Sequence, residues 1–292
     1  MRVLMATDGS PDARDAVEWL LRAPLPADAR ISVISAMPVP VAYEALKMSW
    51  SELRKQASDV VEDAGRRLAE RWSNVTVRIV EGDPRRVILE AADGEGSDLI
   101  VLGARGLGAV ASFLLGSVSL GVAHQAPCPV LVCKGPPRPI KSVTIGIDGS
   151  EHARAALRFV CRLPLAADVS LHLVSIAELL RFPSTAPGII TPQLRAAMRD
   201  YEDQARRKLD EVLAAAVAEV PRGTAVSIAT AIGPLAPSIL AETDKQGSDL
   251  IVVGARGLGA VKRMFLGSVS ESVLRHATCP VLVVHPPAAA RS

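Results

Sequence analysis

Aromatic residues make up only 3% of this 292-residue chain, too few for the exposed stacking platform that holds single-stranded nucleic acid. A charge of one sign is missing as well. Lys and Arg number 33 against 31 Asp and Glu, a formal net charge of +2, so neither a polyanionic partner nor charge-driven disorder is indicated. No apolar run approaches the ~20 residues that span a bilayer. The opening Met1-Arg-Val-Leu-Met-Ala-Thr-Asp8 meets charge before a signal-like segment can form, and a cytoplasmic protein is expected. The 4 cysteines, at 128, 133, 161 and 279, show no C-x2-C spacing, which favours reduced, buried thiols over a zinc site or a disulfide framework. The 5 histidines form no H-E-x2-H or similar ligand set. His172, inside Val169-Ser-Leu-His-Leu-Val174, reads as a strand residue rather than a metal ligand. Also absent are G-x4-G-K-[ST] and a glycine-rich fingerprint after the first strand, which removes the P-loop and dinucleotide-oxidoreductase readings.

What is present is a glycine-rich block written twice. Gly103-Ala-Arg-Gly106-Leu-Gly108 runs on to Gly116-Ser117-Val118-Ser119, and Gly254-Ala-Arg-Gly257-Leu-Gly259 runs on to Gly267-Ser268-Val269-Ser270. Both copies read G-x2-G-x9-G-S. Each follows a short apolar run, Ser97-Asp-Leu-Ile-Val-Leu102 or Ser248-Asp-Leu-Ile-Val-Val253, with the composition of a strand buried on both faces. Glycines past a strand end let the backbone approach a ligand closely, and a helix opened by Gly-Ser offers free N–H groups to an anion. The spacing therefore suggests a phosphate cradle.

Other segments repeat too. Val3-Leu-Met-Ala-Thr-Asp8-Gly-Ser10 answers to Val143-Thr-Ile-Gly-Ile-Asp148-Gly-Ser150, and Pro129-Val-Leu-Val132 to Pro280-Val-Leu-Val283. One domain has been duplicated, with expected bounds 1–134 and 140–286 and a stiff linker, Lys134-Gly-Pro-Pro-Arg-Pro139, between the copies. The second copy carries extra residues between its second and third strands, within 177–224. The Pro/Gly-rich stretch 181–188 suggests a longer loop there, while the Ala-rich segment 213–220 offers a longer helix as the alternative. Short apolar strands alternate with amphipathic segments over 13–21, 53–71, 85–92 and 118–124, which predicts five strands and four helices per copy in βαβ units. Asp8, after the first strand, and the glycine block, after the fourth, face one another if those strands are neighbours at a switch point.

This combination, twice over, resembles the ATP-binding branch of the universal stress protein family in its tandem form, from about Arg2 to about Val284. The resemblance implies two Rossmann-like α/β domains, each a five-stranded parallel sheet in the order 3-2-1-4-5 flanked by helices, with ATP across the carboxyl ends of strands 1 and 4. It also implies that the domains pair along their fifth strands; a homodimer is compatible with this, and no protein partner is indicated. Carried over by position, Asp8 and Asp148 lie near the adenosine, with Ala6, Thr7, Gly146 and Ile147 lining the adenine pocket and Ala36 and Ile176 touching adenine through their backbones. Leu102 and Val253 precede the loops. Gly103, Gly106 and Gly108, with Gly254, Gly257 and Gly259, keep the loops close to ribose and phosphate. Gly116, Ser117, Val118 and Ser119, with Gly267, Ser268, Val269 and Ser270, meet the outer phosphates through N–H and hydroxyl groups.

Structural alternatives stand beside several of these roles. Asp-Gly-Ser also makes a turn in which Asp8 or Ser10 caps a helix, and Ser117 and Ser268 also read as helix caps. In the second copy Glu271 stands three residues after Ser268 and suggests a capping box, where the first copy has Leu120. Arg105 and Arg256 either pair with a phosphate or point to water. ATP, accompanied by Mg2+ or alone, is the expected ligand, in one or both domains of a stress-adaptation or regulatory protein. No constellation for phosphoryl transfer is visible. A slow Mg-dependent ATPase using Asp8 or Asp148, and a nucleotide-independent scaffold joined through 130–133 and 281–284, are the rival readings.

Overall fold

A computed structural model describes residues 1–37, 50–107, 115–178, 192–258 and 266–286. In the first half, β1 (Arg2–Ala6), α1 (Pro11–Arg22), β2 (Arg30–Met37), α2 (Trp50–Ala69), β3 (Asn74–Glu81), α3 (Pro84–Glu95), β4 (Leu99–Gly103), α4 (Ser117–Gln125) and β5 (Val130–Cys133) follow in order. The second half repeats the plan as β6 (Ser142–Gly146), α5 (Glu151–Cys161), β7 (Ser170–Ala177), α6 (Pro192–Glu219), β8 (Ala225–Ile232), α7 (Leu235–Gln246), β9 (Leu250–Gly254), α8 (Ser268–His276) and β10 (Val281–Val284).

Local chemistry explains where these elements start and stop. Ser10 accepts a hydrogen bond from Ala13 N and Pro11 occupies the first position of α1, a preferred helix opening. Ser150 does the same for α5, and Asp83 caps α3 through Arg86 N. Successive residues of β1 point to opposite layers. Val3 and Met5 pack under α1 and α2, while Leu4 and Ala6 join the layer of α3 and α4, as a strand covered on both faces requires.

Each half has the order 3-2-1-4-5, and the halves join through β5 and β10 into one ten-stranded sheet, β3-β2-β1-β4-β5-β10-β9-β6-β7-β8. Among the described residues every pairing within a half is parallel and only β5 and β10 run antiparallel, with Leu131 opposite Leu282. Both helical layers continue across this seam, so the two halves share their apolar cores. The surplus of the second copy lies mostly in a helix: α6 has 28 residues where α2 has 20. The stretch 181–188 lies outside the described residues.

Two residues lock the seam with approximate twofold logic. After β5, buried Lys134 donates to the carbonyls of Leu274, Arg275 and Ala277 at 2.6, 3.1 and 3.3 Å. A cation thus sits on the negative end of α8. After β10, His285 Nε2 lies 3.0 Å from the Ala123 carbonyl, near the end of α4. Burial pulls the His285 imidazole down to about 4; the Ala123 carbonyl opposes this, and nearby His152, Arg256 and His124 reinforce it. His285 is therefore neutral at pH 7. The unfolded chain takes up a proton near pH 6.5 and the folded one only near 4, so stability falls as pH drops through that window and levels off below it, a loss of up to about 3 kcal/mol. We expect urea unfolding at pH 7 and pH 4.5 to show this loss in the wild type and a much smaller one in His285→Gln, which keeps a donor toward Ala123 without titrating.

The thiols match the sequence expectation: all four cysteines are free, with Cys128, Cys133 and Cys279 buried. Burial pushes Cys128 up to about 12 and Cys279 up to about 11, which removes thiolate character at neutral pH. His172 is a buried β7 residue with Nδ1 2.8 Å from Ser227 Oγ. No cluster of three metal-ligating side chains occurs among the described residues, and no described helix is long and apolar enough to cross a membrane.

Candidate functional site

Because β1 lies beside β4 and β6 beside β9, each half opens a crevice at the carboxyl ends of its central strands, where α/β sheets bind ligands. The cavities measure about 1090 Å³ in the first half and about 680 Å³ in the second. The first is lined by Ala6, Thr7, Asp8, Ala36, Leu102, Gly103, Arg105, Gly106, Gly116, Ser117, Val118 and Ser119. The second is lined by Gly146, Ile147, Asp148, Ile176, Val253, Gly254, Arg256, Gly257, Gly267, Ser268, Val269 and Ser270. The structure thus brings the residues singled out from the sequence around one cavity per copy, apart from Gly108 and Gly259, which lie outside the described residues.

The aspartates act as clamps. Asp8 Oδ1 accepts from Ser10 N at 3.0 Å and Oδ2 from Leu107 N at 2.9 Å; Asp148 repeats this with Ser150 N and Leu258 N at 2.9 and 3.1 Å. Each carboxylate ties its strand end to its glycine loop, and its remaining lone pairs leave it able to accept a ligand hydroxyl. Asp8 therefore does not cap α1; Ser10 does. The Ser10 hydroxyl also donates to the Arg105 carbonyl at 3.1 Å, and Ser150 to that of Arg256 at 3.3 Å, fixing the loop from a second side.

The glycines divide into two roles. A Cβ on Gly106 or Gly257 would lie 2.5 or 2.6 Å from Asp8 Oδ2 or Asp148 Oδ2, so these positions keep the loop within reach of the clamp. A Cβ on Gly103 would lie 2.6 Å from the Asp12 carbonyl carbon and 2.8 Å from Ala13 N, and one on Gly254 would lie 2.6 Å from the backbone of His152. Those two glycines admit the first turn of α1 or α5 against the strand end.

At the far side of each cavity a helix begins without a side-chain cap. The N-caps of α4 and α8 are Gly116 and Gly267, neither of which has a side chain to offer. The sequence offered Ser117 and Ser268 for that role as the structural alternative to phosphate contact, and the structure gives it to the glycines. Ser117 and Ser268 are the first helical residues, and the expected capping box of the second copy does not form. Glu271 instead binds Arg275 at 2.8 and 3.0 Å and approaches His124 Nε2 of the first half at 3.3 Å without hydrogen-bond alignment. The hydroxyls of Ser119 and Ser270 are corrected as well. They are buried and donate to the Gly103 and Gly254 carbonyls at 2.7 and 2.6 Å, which satisfies the strand ends. What α4 and α8 offer the cavities is first-turn backbone N–H, the donor set that suits an anion.

Arg105 follows neither sequence alternative. Its guanidinium pairs with Asp12 through two hydrogen bonds of 3.0 and 3.2 Å, which raise its pKa further. Arg256 has no such partner among the described residues, and His152 stands where the first copy has Asp12.

Several wall residues went unnoticed in the sequence. Leu53, Gln56, Ala57 and Val60 of α2 line the first cavity, and Tyr201, Gln204, Ala205 and Lys208 of α6 line the second. Their i, i+3, i+4, i+7 spacing was a readable signal of one helix face. Arg275 of the second half also lines the first cavity, and no local pattern announces that contact.

Comparison with known proteins agrees with this architecture. The sequence profile of the universal stress protein family matches residues 1–134 and again 139–285. Universal stress protein Rv1996 of Mycobacterium tuberculosis is 29% identical over 313 residues, spanning 98% of this chain and 95% of its own. A universal stress protein of Mycolicibacterium smegmatis is 28% identical over 297 residues, spanning 97% of each. Among solved structures, a universal stress protein from Archaeoglobus fulgidus superposes with a TM-score of 0.66 at 25% identity, covering 97% of this chain and 95% of that one. With two matched copies, this topology and relatives of the same length, the chain belongs to the universal stress protein family as a tandem member.

Proposed function

We propose that the two cavities bind adenine nucleotides, with ATP the ligand of at least one, and that occupancy sets the state of a cytoplasmic regulator of stress adaptation. The observation that carries this reading is the pairing, in both halves, of an aspartate-clamped glycine loop with an uncapped helix start across one crevice. Apolar strand ends and a helix face supply a wall for adenine, the aspartate can accept from ribose, and the first turn of α4 or α8 receives phosphate. Four or five charge-assisted hydrogen bonds of roughly 1.5–3 kcal/mol each, with adenine burial, suffice for micromolar affinity after entropic costs. No Walker-type lysine is needed. Mg2+ accompanying ATP would be held chiefly by the phosphates, given that the described residues contain no cluster of three ligating side chains.

Asp8 and Asp148 serve this reading as clamps and ribose acceptors, each already engaged by two backbone N–H groups, and hydrolysis is not part of it. The pairing of β5 with β10 is common to this reading and to the scaffold alternative, and the cavities are what favour nucleotide. The test is mass analysis of the small molecules released when freshly purified protein is denatured. An adenine nucleotide at up to two equivalents per chain is the expected result. A protein that releases none, and then takes up no added ATP in calorimetry, would end the proposal.

A further inference from the structure

The two pockets share a plan but differ in charge. At the first, both arginines are claimed by carboxylates, Arg105 by Asp12 and Arg275 by Glu271, while Asp8 and Asp59 add two further negative charges to the wall. At the second, His152 replaces Asp12. Burial and the neighbouring Arg256 charge hold this imidazole below its ordinary pKa, so it brings no compensating charge at neutral pH. Among the described residues Arg256 Nε and His152 Nδ1 are both buried without a hydrogen-bond partner, although Arg256 lines the cavity. Glu151, beside His152, makes no ion pair with Arg256 among the described residues, and Lys208 on the opposite wall makes none either. Arg256 and Lys208 balance Asp148 and Glu178 in that wall. Counting wall charges together with their bridging carboxylates, the first pocket is more negative than the second by two.

We infer that the second pocket is the polyphosphate site, that Arg256 reads the terminal phosphate there, and that His152 permits this by leaving Arg256 unclaimed. The first pocket then favours a nucleotide with fewer phosphates. This deepens the adenine-nucleotide reading and rests on it. Arg105 can leave Asp12 at little cost, because a solvent-exposed ion pair is weak; the carboxylate would stay behind, however, and cancel the charge it released. His152 and Asp12 lie outside both cavity walls, so they are positioning residues that act through the arginine. A unit charge near a terminal phosphate in partly wet surroundings changes affinity about tenfold.

The test uses full-length protein with one pocket closed at a time: Gly106→Asp leaves the second pocket open and Gly257→Asp leaves the first. Calorimetry with ATP and with AMP should show an ATP-over-AMP preference at least ~10-fold larger in the second pocket. Adding His152→Asp to the former protein should weaken ATP about tenfold and leave AMP within about threefold. Arg256→Gln in the same background should do likewise, which guards against misfolding of the His152 variant. Asp12→His in the latter protein should strengthen ATP about tenfold. A merely structural role would move ATP and AMP together. Equal preferences in the two pockets, or preferences that none of these exchanges moves, overturn the inference while nucleotide binding stands. A wild-type chain that binds neither nucleotide overturns the underlying reading and this inference with it.

Discussion

Gly106→Asp combined with Gly257→Asp is expected to abolish ATP binding, lowering affinity by at least ~100-fold in calorimetry, while the far-UV circular dichroism spectrum stays that of the wild type. A Cβ at either position would fall 2.5–2.6 Å from the clamp oxygen of Asp8 or Asp148, so the new side chain must push the loop or the aspartate aside. It also sets carboxylate beside carboxylate where a polyphosphate has to approach. The fold should survive, since the obstructing atom at each position belongs to a side chain at the rim of the crevice. Unchanged ATP affinity in the double variant would show that the glycine loops do not border the ligand.

Gly103→Ala should have the opposite profile, with stability lost by about 3 kcal/mol in urea unfolding, and Gly254→Ala should match it. The atoms that meet the added methyl are backbone: the Asp12 carbonyl and Ala13 N in the first copy, and the His152 carbonyl carbon and Ala153 N in the second. Accommodating the methyl means shifting the start of α1 or α5 away from the sheet, and with it the cap made by Ser10 or Ser150. A smaller conformational gain from replacing glycine, roughly 0.4–1 kcal/mol, offsets only part of this. Variants as stable as the wild type would mean that the helix starts are not seated against these strand ends. Two glycines three residues apart in one motif thus answer to different neighbours, one to the aspartate clamp and one to the backbone of a helix start.

Much of the architecture could be read from the chain because the governing signals were local. The all-apolar runs at 99–102 and 250–253 have the length of buried parallel strands, and the duplicated Asp-Gly-Ser and G-x2-G-x9-G-S segments fixed the repeat. Their meeting at one crevice follows once β1 and β4 are neighbours. Sequence reasoning failed where a side chain had two partners of equal chemical merit. Ser119 suits a phosphate as well as it suits the Gly103 carbonyl, and only the packing of α4 on the strand end decides between them. Glu271 stands at capping-box spacing from Ser268, but the cap position falls one residue earlier, on Gly267, and the carboxylate turns to Arg275 and His124. Arg105 could not be paired with Asp12 from a separation of 93 residues, and Arg275 reaches the first pocket only because β5 and β10 bring the halves together. The wall residues on α2 and α6 share one face of each helix, and nothing in the local sequence says whether such a face meets the core or a ligand.

In the proposed complex, main-chain amides at Gly116–Ser119 and Gly267–Ser270, opposite a clamped aspartate, hold the phosphates of an adenine nucleotide. The most direct measurement is a crystal structure of the full chain grown with excess ATP and Mg2+. The account predicts phosphate density within hydrogen-bond reach of the first-turn N–H groups of α8, with the ribose near Asp148. Crevices closed by the protein's own side chains, or nucleotide bound away from both helix starts, would contradict it.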